Sequence, residues 1–406
     1  MSDLKFIPPQ QNQLLTRLIQ SIFYLVAYFV YKIRLTIDES DVGKMRAIAD
    51  QRVVYLPNHS NLDDALVIFL LSARLGQLFH YVVALEAFQG GIGKLMQKVG
   101  AYSIRRGIGD RPSIMQTLKI LQQPQCKLVI FPEGGCSYQN DTVMTFRPGA
   151  VELSFKAIEK LIKIENAIPD FYLVPVSIKY CYPGATDIQM DQALSRLETA
   201  LSLESKQNNF YSRLRNIAAQ ILTNLEVEYQ ITPQNSTDWE QRIKYLKQQM
   251  LNYCEEKLNI TPLEKLRDRE RIYKVQAMLR SATDTKQQPA INHEHLYLTT
   301  VRLLNFDAIY DGYVAENPTV ERFFDTIDRF EREVFQIDRP KFKGQRQVIV
   351  KIGTPINLKE SWPTYQQNLP LTFSHYKSCP HQLSSRQQLI NNLTKSAQQL
   401  VQNNLN

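Results

Sequence analysis

An α/β layer fold, with a largely parallel central sheet flanked by helices, an N-terminal interfacial helix and a large helical insertion, is what this sequence predicts. Three observations carry it. Short β-branched runs alternate with helical stretches from Leu35 to Tyr180, the pattern of strand–helix–strand units. Residues 187–334 then read almost wholly as helix. Finally, Gln347–Asn357 returns to strand character and ends in a G-x-P turn, so two stretches of sheet bracket the helical block.

In chain order, Met1 to Asn12 is largely polar, contains Pro8 and Pro9, and reads as a loose lead-in. Leu14 to Tyr31 follows as LLTRLIQSIFYLVAYFVY. Its uninterrupted apolar part starts only at Ile22 and is about half of the ~20 residues that spanning a bilayer requires. Three tyrosines and the flanking Lys32 and Arg34 suit a headgroup region, where amphipathic side chains sit well. The segment is read as a helix lying in, or dipping into, one leaflet; an ordinary buried core helix is the alternative.

RLTID (34–38) and VVYLP (53–57) read as strands, with a helix over 63–75. HYVVAL (80–85) is a strand, 92–100 a short helix ending on a glycine, and AYSIR (101–105) a strand. A helix over 112–122 and a buried strand KLVIFP (127–132) come next. GAVELSFKAIEKLIK (149–163) has the 3.6-residue period, and FYLVPVSIKY (171–180) is strand again. Beyond Pro183–Gly184 the helical block has turn punctuation at 231–237 and 282–292 and no fixed repeat. A helix over 384–405 closes the chain. The division expected is therefore a membrane-associating helix at 1–34, a core at 35–186, an inserted helical region at 187–345, and a strand and helix at 346–406 that return to the core.

The 406 residues suffice for a large core, and the apolar and charged fractions, 44% and 22%, are those of a globular chain. The five cysteines form no C-x-x-C pair, an arrangement expected of a reducing compartment. No cleavable signal peptide is visible. A net charge of +8 favours anionic surfaces without choosing between lipid and nucleic acid. RDRERIYK (267–274) is mixed in sign and reads as a solvated helix face, which argues against nucleic acid. His293–Glu–His295 has no third ligand at metal spacing and reads as loop before a helix, and G-G-x-G-K at 90–94 lacks phosphate-loop spacing. Neither a G-x-S-x-G elbow nor a second histidine near Cys136 supports a nucleophilic hydrolase.

The chemistry concentrates at NHSNLDD, Asn58 to Asp64, where a strand ends and a helix begins. Loops at the carboxyl ends of strands are where such sheets expose reactive side chains. Either Asp63 or Asp64 can reach His59 across the turn; with Asn61 or Asp63 as the helix cap, Asp64 is left to orient the imidazole. A carboxylate-held histidine is a general base, its tautomer fixed and its imidazolium stabilised. A capping cluster with a bystander histidine is the alternative on this stretch alone.

His59–x4–Asp64 resembles the first motif of the glycerolipid acyltransferases, the family of lysophosphatidate and glycerol-3-phosphate acyltransferases. Three further segments resemble the family's later motifs, in order: Gly100–Ala–Tyr–Ser–Ile104–Arg105–Arg106, Phe131–Pro–Glu133–Gly134–Gly135–Cys136–Ser137, and Val174–Pro–Val176. The resemblance implies His59 as base and Asp64 as its orienting acid, without metal or cofactor, acyl-CoA or acyl-carrier protein serving as co-substrate. It implies that Arg106 holds the acceptor's phosphate and that Glu133 and Gly134 bind the acceptor or shape its site. Phe146–Arg147–Pro–Gly149–Ala resembles the segment before the next family helix, where Arg147 is either an anion ligand at a helix N-terminus or a plain solvated charge. The expected partners are a membrane lipid surface, the thioester donor and a lysophospholipid, with the protein peripheral or monotopic on the cytoplasmic face. The acceptor implied is 1-acylglycerol-3-phosphate, giving phosphatidate. Gly135–Cys136 stands where the family has Thr–Arg, which opens a phosphate-free alcohol as acceptor. A non-catalytic membrane-binding protein on the same scaffold is a further reading, opposed by the intact His59, Asp64 and Glu133.

Overall fold

A computed structural model describes residues 6–184, 187–204, 209–232, 237–261, 266–283, 292–367 and 385–405. The turn expected at 282–292 and Cys379 lie largely or wholly outside these residues. The strands are β1 (Ile33–Ile37), β2 (Arg52–Pro57), β3 (His80–Ala84), β4 (Ala101–Ile104), β5 (Lys127–Val129), β6 (Phe171–Cys181), β7 (Arg346–Ile352) and β8 (Ile356–Asn357). The helices of the first half are α1 (Gln13–Phe29), α2 (Glu39–Ala47), α3 (Asp64–Arg74), α4 (Gly90–Lys98), α5 (Arg111–Leu121) and α6 (Gly149–Glu165). Then come α7 (Asp187–Ala200), α8 (Phe210–Glu228), α9 (Trp239–Lys257), α10 (Asp268–Thr283), α11 (His293–Asn305), α12 (Tyr313–Glu316) and α13 (Val320–Val334), and last α14 (Leu358–Gln367) and α15 (Ser385–Leu405).

The molecule is α/β, built on one sheet ordered β1-β7-β6-β2-β5-β3-β4, with β8 pairing β6. All neighbours are parallel except β6 with β7 and β6 with β8. β2 lies at the centre, and its side chains alternate between two cores. Val53 and Tyr55 join a cluster with Val67, Leu71 and Val350, whereas Val54 and Leu56 join Phe155, Ile158 and Val401 on the other face. Helices α7 to α13 pack around a third cluster of their own, from Met190 to Phe330. The sheet closes on β7, which sits between β1 and β6 and pairs both.

Several local expectations are corrected. Residues 7–12 are no loose lead-in: Ile7 and Ser103 exchange hydrogen bonds, and Gln10 and Asn12 donate to Gln97 and Lys98. That strap covers the outer edge of β4, which would otherwise expose unpaired backbone. β5 stops at Val129 rather than 132, because the Gly134 N–H turns back onto the Phe131 carbonyl at 3.1 Å. β4 stops at Ile104 rather than 105, so Arg105 and Arg106 lie in the following turn. His293 and His295 lie in the first turn of α11, capped by Asn292. The strand expected over 347–357 is two, β7 and β8, broken at the G-x-P turn, while α2 and α14, short and only weakly apolar, go unannounced in the sequence.

Candidate active site

β2 delivers the motif. At its end the Asn58 side chain exchanges two hydrogen bonds with the Ile178 backbone, at 2.7 and 3.0 Å, and this ties the strand end to β6. The next residue, His59, leaves the sheet. Its Nδ1 lies 2.9 Å from Oδ2 of Asp64, the first residue of α3. A carboxylate only accepts, so Nδ1 carries the proton and Nε2 is the basic edge. Asp64 is fully buried and also accepts from the Asn61 N–H (2.8 Å) and the Tyr180 hydroxyl (2.7 Å). Three donors hold one carboxylate, which fixes the imidazole plane. The ring rests on Phe131, centroids 4.6 Å apart, and its side chain keeps 21% of its surface open.

Asp63 takes the other road. It is the N-cap residue of α3 but makes no side-chain cap; its carboxylate pairs with Arg346 and Arg339 instead. Asp64 is therefore the carboxylate that meets the imidazole.

The turn after β5 completes the His59 loop from beneath. Oε1 of Glu133 accepts the His59 N–H at 2.6 Å and Oε2 accepts the Met144 N–H at 3.1 Å, while the Ser137 N–H donates to the His59 carbonyl at 2.7 Å. Both oxygens of Glu133 thus serve the loop backbone. Burial pushes this carboxyl up to about 8, against the opposing pull of the two N–H bonds. A raised folded value means that the neutral form contributes stability below the unfolded value near 4.5, and that this contribution fades as pH rises through about 8. Glu133→Gln should therefore lose less stability than wild type between pH 5 and 9, measured as the difference in thermal midpoints. Parallel curves would show that Glu133 is ionised throughout.

Gly134 has φ +74°, and a Cβ there would stand 2.7 Å from Nε of Arg147, so glycine is required twice over. Around this turn the cations gather. Nη1 of Arg106 donates to the Tyr273 hydroxyl at 3.0 Å with its guanidinium 4.3 Å from that ring's centroid, and Nη2 lies 3.6 Å from Glu86. The Tyr273 hydroxyl donates in turn to the Gly134 carbonyl at 3.0 Å, and Arg147 lies 6.0 Å over the same ring. Arg105 turns away to Asp110, the cap of α5. The Cys136 thiol is pushed far up by burial and by the Asp64 charge, so it is held protonated. Its carbonyl accepts from Nη2 of Arg269 at 3.1 Å, and Nε of the same guanidinium meets Asp307 at 2.6 Å. Nη1 of Arg269 is buried without a partner among the described residues and would lie 2.6 Å from a Cβ on Gly135, so α10 packs directly on this turn.

The structure thus brings His59, Asp64 and Glu133 into one hydrogen-bonded unit, and Arg106, Gly134 and Arg147 into a second one around Tyr273. Tyr180, Arg269 and Tyr273 escaped the sequence reading. The 267–274 run is not a solvated face: Arg269, Ile272, Tyr273 and Gln276 are buried, at helical spacing. That spacing was the available signal.

Residues 39–179 match the family model described as Acyltransferase. No curated protein matches the chain. The matched stretch runs from α2 into β6 and contains all four motif segments, so residues 39–179 form a domain of that Acyltransferase family.

Proposed function

We propose that this protein moves a fatty acyl group from a thioester, acyl-CoA or acyl-carrier protein, to a phosphate-bearing glycerolipid, converting 1-acylglycerol-3-phosphate to phosphatidate. The observation that carries the reading is the His59–Asp64 pair, with Nδ1 tied to a fully buried carboxylate and Nε2 left to work. The acceptor hydroxyl gives its proton to Nε2 as its oxygen attacks the thioester carbonyl. The carbon–sulfur bond breaks, and the imidazolium returns the proton to the departing thiolate. Asp64 balances the imidazolium charge meanwhile. General-base help of this kind contributes roughly 10²–10⁴-fold, so positioning and oxyanion stabilisation supply the remainder.

Three guanidiniums support a phosphate on the acceptor. Arg106, Arg147 and Arg269 surround the Gly134–Gly135 turn. Glu86, shared with Arg280, and Asp307 pair with two of them, and Arg147 makes no ion pair among the described residues, although the Glu270 charge acts on it. A dianionic phosphate matches such a surplus of forked donors. Arg269 also places a guanidinium beside Cys136, the position that had suggested a neutral acceptor. The test supplies purified protein with vesicles carrying 1-acylglycerol-3-phosphate or monoacylglycerol, and with labelled acyl-CoA or acyl-carrier protein. Label is expected in phosphatidate, and Arg106→Ala should raise KM for the phosphate acceptor by about tenfold or more, the equivalent of one charge-assisted contact. Transfer to the uncharged alcohol, indifferent to Arg106→Ala, would instead assign a neutral acceptor.

The first helix supports action at a lipid surface, peripheral or monotopic on the cytoplasmic face. No helix among the described residues is long and apolar enough to cross a membrane. Yet α1 is apolar on both sides: its inward face seats Ile19, Phe23 and Ala27 on the core and bonds through Thr16 and Gln20 to Lys98, Ser72 and Gln77, while Leu14, Leu18, Ile22, Leu25 and Phe29 are exposed. Their spacing of three and four residues makes one apolar stripe, as a leaflet-seated helix needs. A net charge of +8 suits anionic headgroups. Leu18→Glu with Leu25→Glu should cut sedimentation with anionic vesicles at least tenfold, because two charges replace two apolar side chains of ~1.5–3 kcal/mol each. Unchanged sedimentation would move the lipid contact elsewhere.

A further inference from the structure

We infer that helix α13, outside the matched domain, positions both members of the catalytic pair, with Arg329 and Asp325 as its positioning residues. The inference rests on His59 and Asp64 being that pair. Asp325 and Arg329 are four residues apart, so they project from one face of the helix. Two chains of hydrogen bonds leave that face. In the first, Nη2 of Arg329 donates to the carbonyls of Ser137 (2.7 Å) and Tyr138 (2.9 Å), and the Ser137 N–H donates to the His59 carbonyl at 2.7 Å. In the second, Oδ2 of Asp325 accepts the Asn140 N–H at 2.9 Å. The Asn140 side chain exchanges hydrogen bonds of 2.6 and 2.7 Å with the Tyr180 backbone, and the Tyr180 hydroxyl donates to Oδ1 of Asp64 at 2.7 Å.

The loop between these anchors is held along its length by the helical region. The Gln139 side chain donates to the Ala308 carbonyl at 2.6 Å, and Asp141 pairs with Arg322 of α13 at 2.8 Å. Arg329 is 1% exposed and, among the described residues, the largest side chain so deeply buried. A guanidinium is costly to desolvate, and closing the interface needs only an apolar side chain. What an apolar side chain lacks is donors for the two carbonyls that fix the His59 loop. A misplacement of about 1 Å at the reacting groups costs on the order of 10²-fold in rate, so such a clamp bears on turnover rather than on substrate affinity.

The test uses the full chain, carrying Arg329→Met, Arg329→Lys or Asp325→Asn, after folding is checked by thermal melting. For Arg329→Met and Asp325→Asn, kcat is expected to fall ~10–100-fold with KM for donor and acceptor within twofold. Arg329→Lys, which keeps the charge and a donor nitrogen but not the planar fork, should recover part of the loss. In ¹⁵N-histidine spectra the His59 ring resonances should shift or broaden while those of His80 on β3 stay in place. A kcat within twofold of wild type in folded variants, a loss confined to KM, or an unmoved His59 signal would overturn the inference. Should Arg329→Met fail to fold, the other two variants decide on the same readouts. Activity surviving His59→Ala would remove the proposed base, whereas the spectra report separately on whether α13 holds that loop.

Discussion

Acyl transfer by the His59→Ala variant is expected to fall to a few per cent of wild type or less, with thermal stability and vesicle binding retained. The side chain is partly exposed, and its backbone, not its ring, carries the bonds to Glu133 and Ser137, so alanine keeps the loop in place. Asp64→Asn should be nearly as severe, because one of three donors, the His59, Asn61 or Tyr180 group, then faces an amide N–H₂. If the imidazole flips to satisfy it, the tautomer that leaves Nε2 basic is lost. A fall in kcat on the order of 10²–10⁴-fold, with KM little changed, is the signature of a missing base in the transition state. Activity above a tenth of wild type in His59→Ala would leave another group as the base.

How much of this was legible in the sequence follows from what each signal encodes. The central strands were readable because burial on both faces requires apolar runs, and β2 and β6 are such runs. His59 and Asp64 were readable because they lie five residues apart, within one turn, so that sequence spacing is nearly spatial spacing. Tyr180 was not, since its hydroxyl reaches Asp64 from a strand 116 residues later in the chain. Arg269, Tyr273 and Arg329 come from still farther away. In sequence they resemble any charged helix face, because whether an arginine is solvated or buried depends on the surface across from it. The 3.6-residue spacing of Arg269, Ile272, Tyr273 and Gln276 was present, but polar residues on the inward face mask an apolar period. For the same reason, long-range pairing concealed the place of β7: its apolar pattern announced a strand, while its seat between β1 and β6 is a property of the folded sheet alone.

Asp63 shows how a neighbour of a proposed catalytic residue can be read too lightly. From the motif alone, Asp63→Asn is expected to spare transfer, since Asp64 is the acid that the motif assigns. Stability is a separate matter, and there the structure gives Asp63 a part. Oδ2 of Asp63 meets Nη2 of Arg346 at 2.7 Å, and both side chains are almost wholly buried. The same guanidinium donates to the Tyr31 carbonyl at 2.6 Å and lies 5.3 Å over the Tyr180 ring, so this one pair joins the start of α3, the first residue of β7 and the exit from α1. Removing one partner of a buried pair leaves the other charge desolvated and alone, which costs about 3–5 kcal/mol. The second partner, Arg339, is more than half exposed and contributes at most about 1 kcal/mol. Asp63→Asn should therefore lower the unfolding free energy by about 3–5 kcal/mol in denaturant titration, with the slope unchanged. Asp63→Asn combined with Arg346→Met should recover much of that loss, because no charge is then left buried without its partner. A single variant within 1 kcal/mol of wild type, or a double variant worse than the sum of both singles, would show that this pair does not fasten α3 to β7.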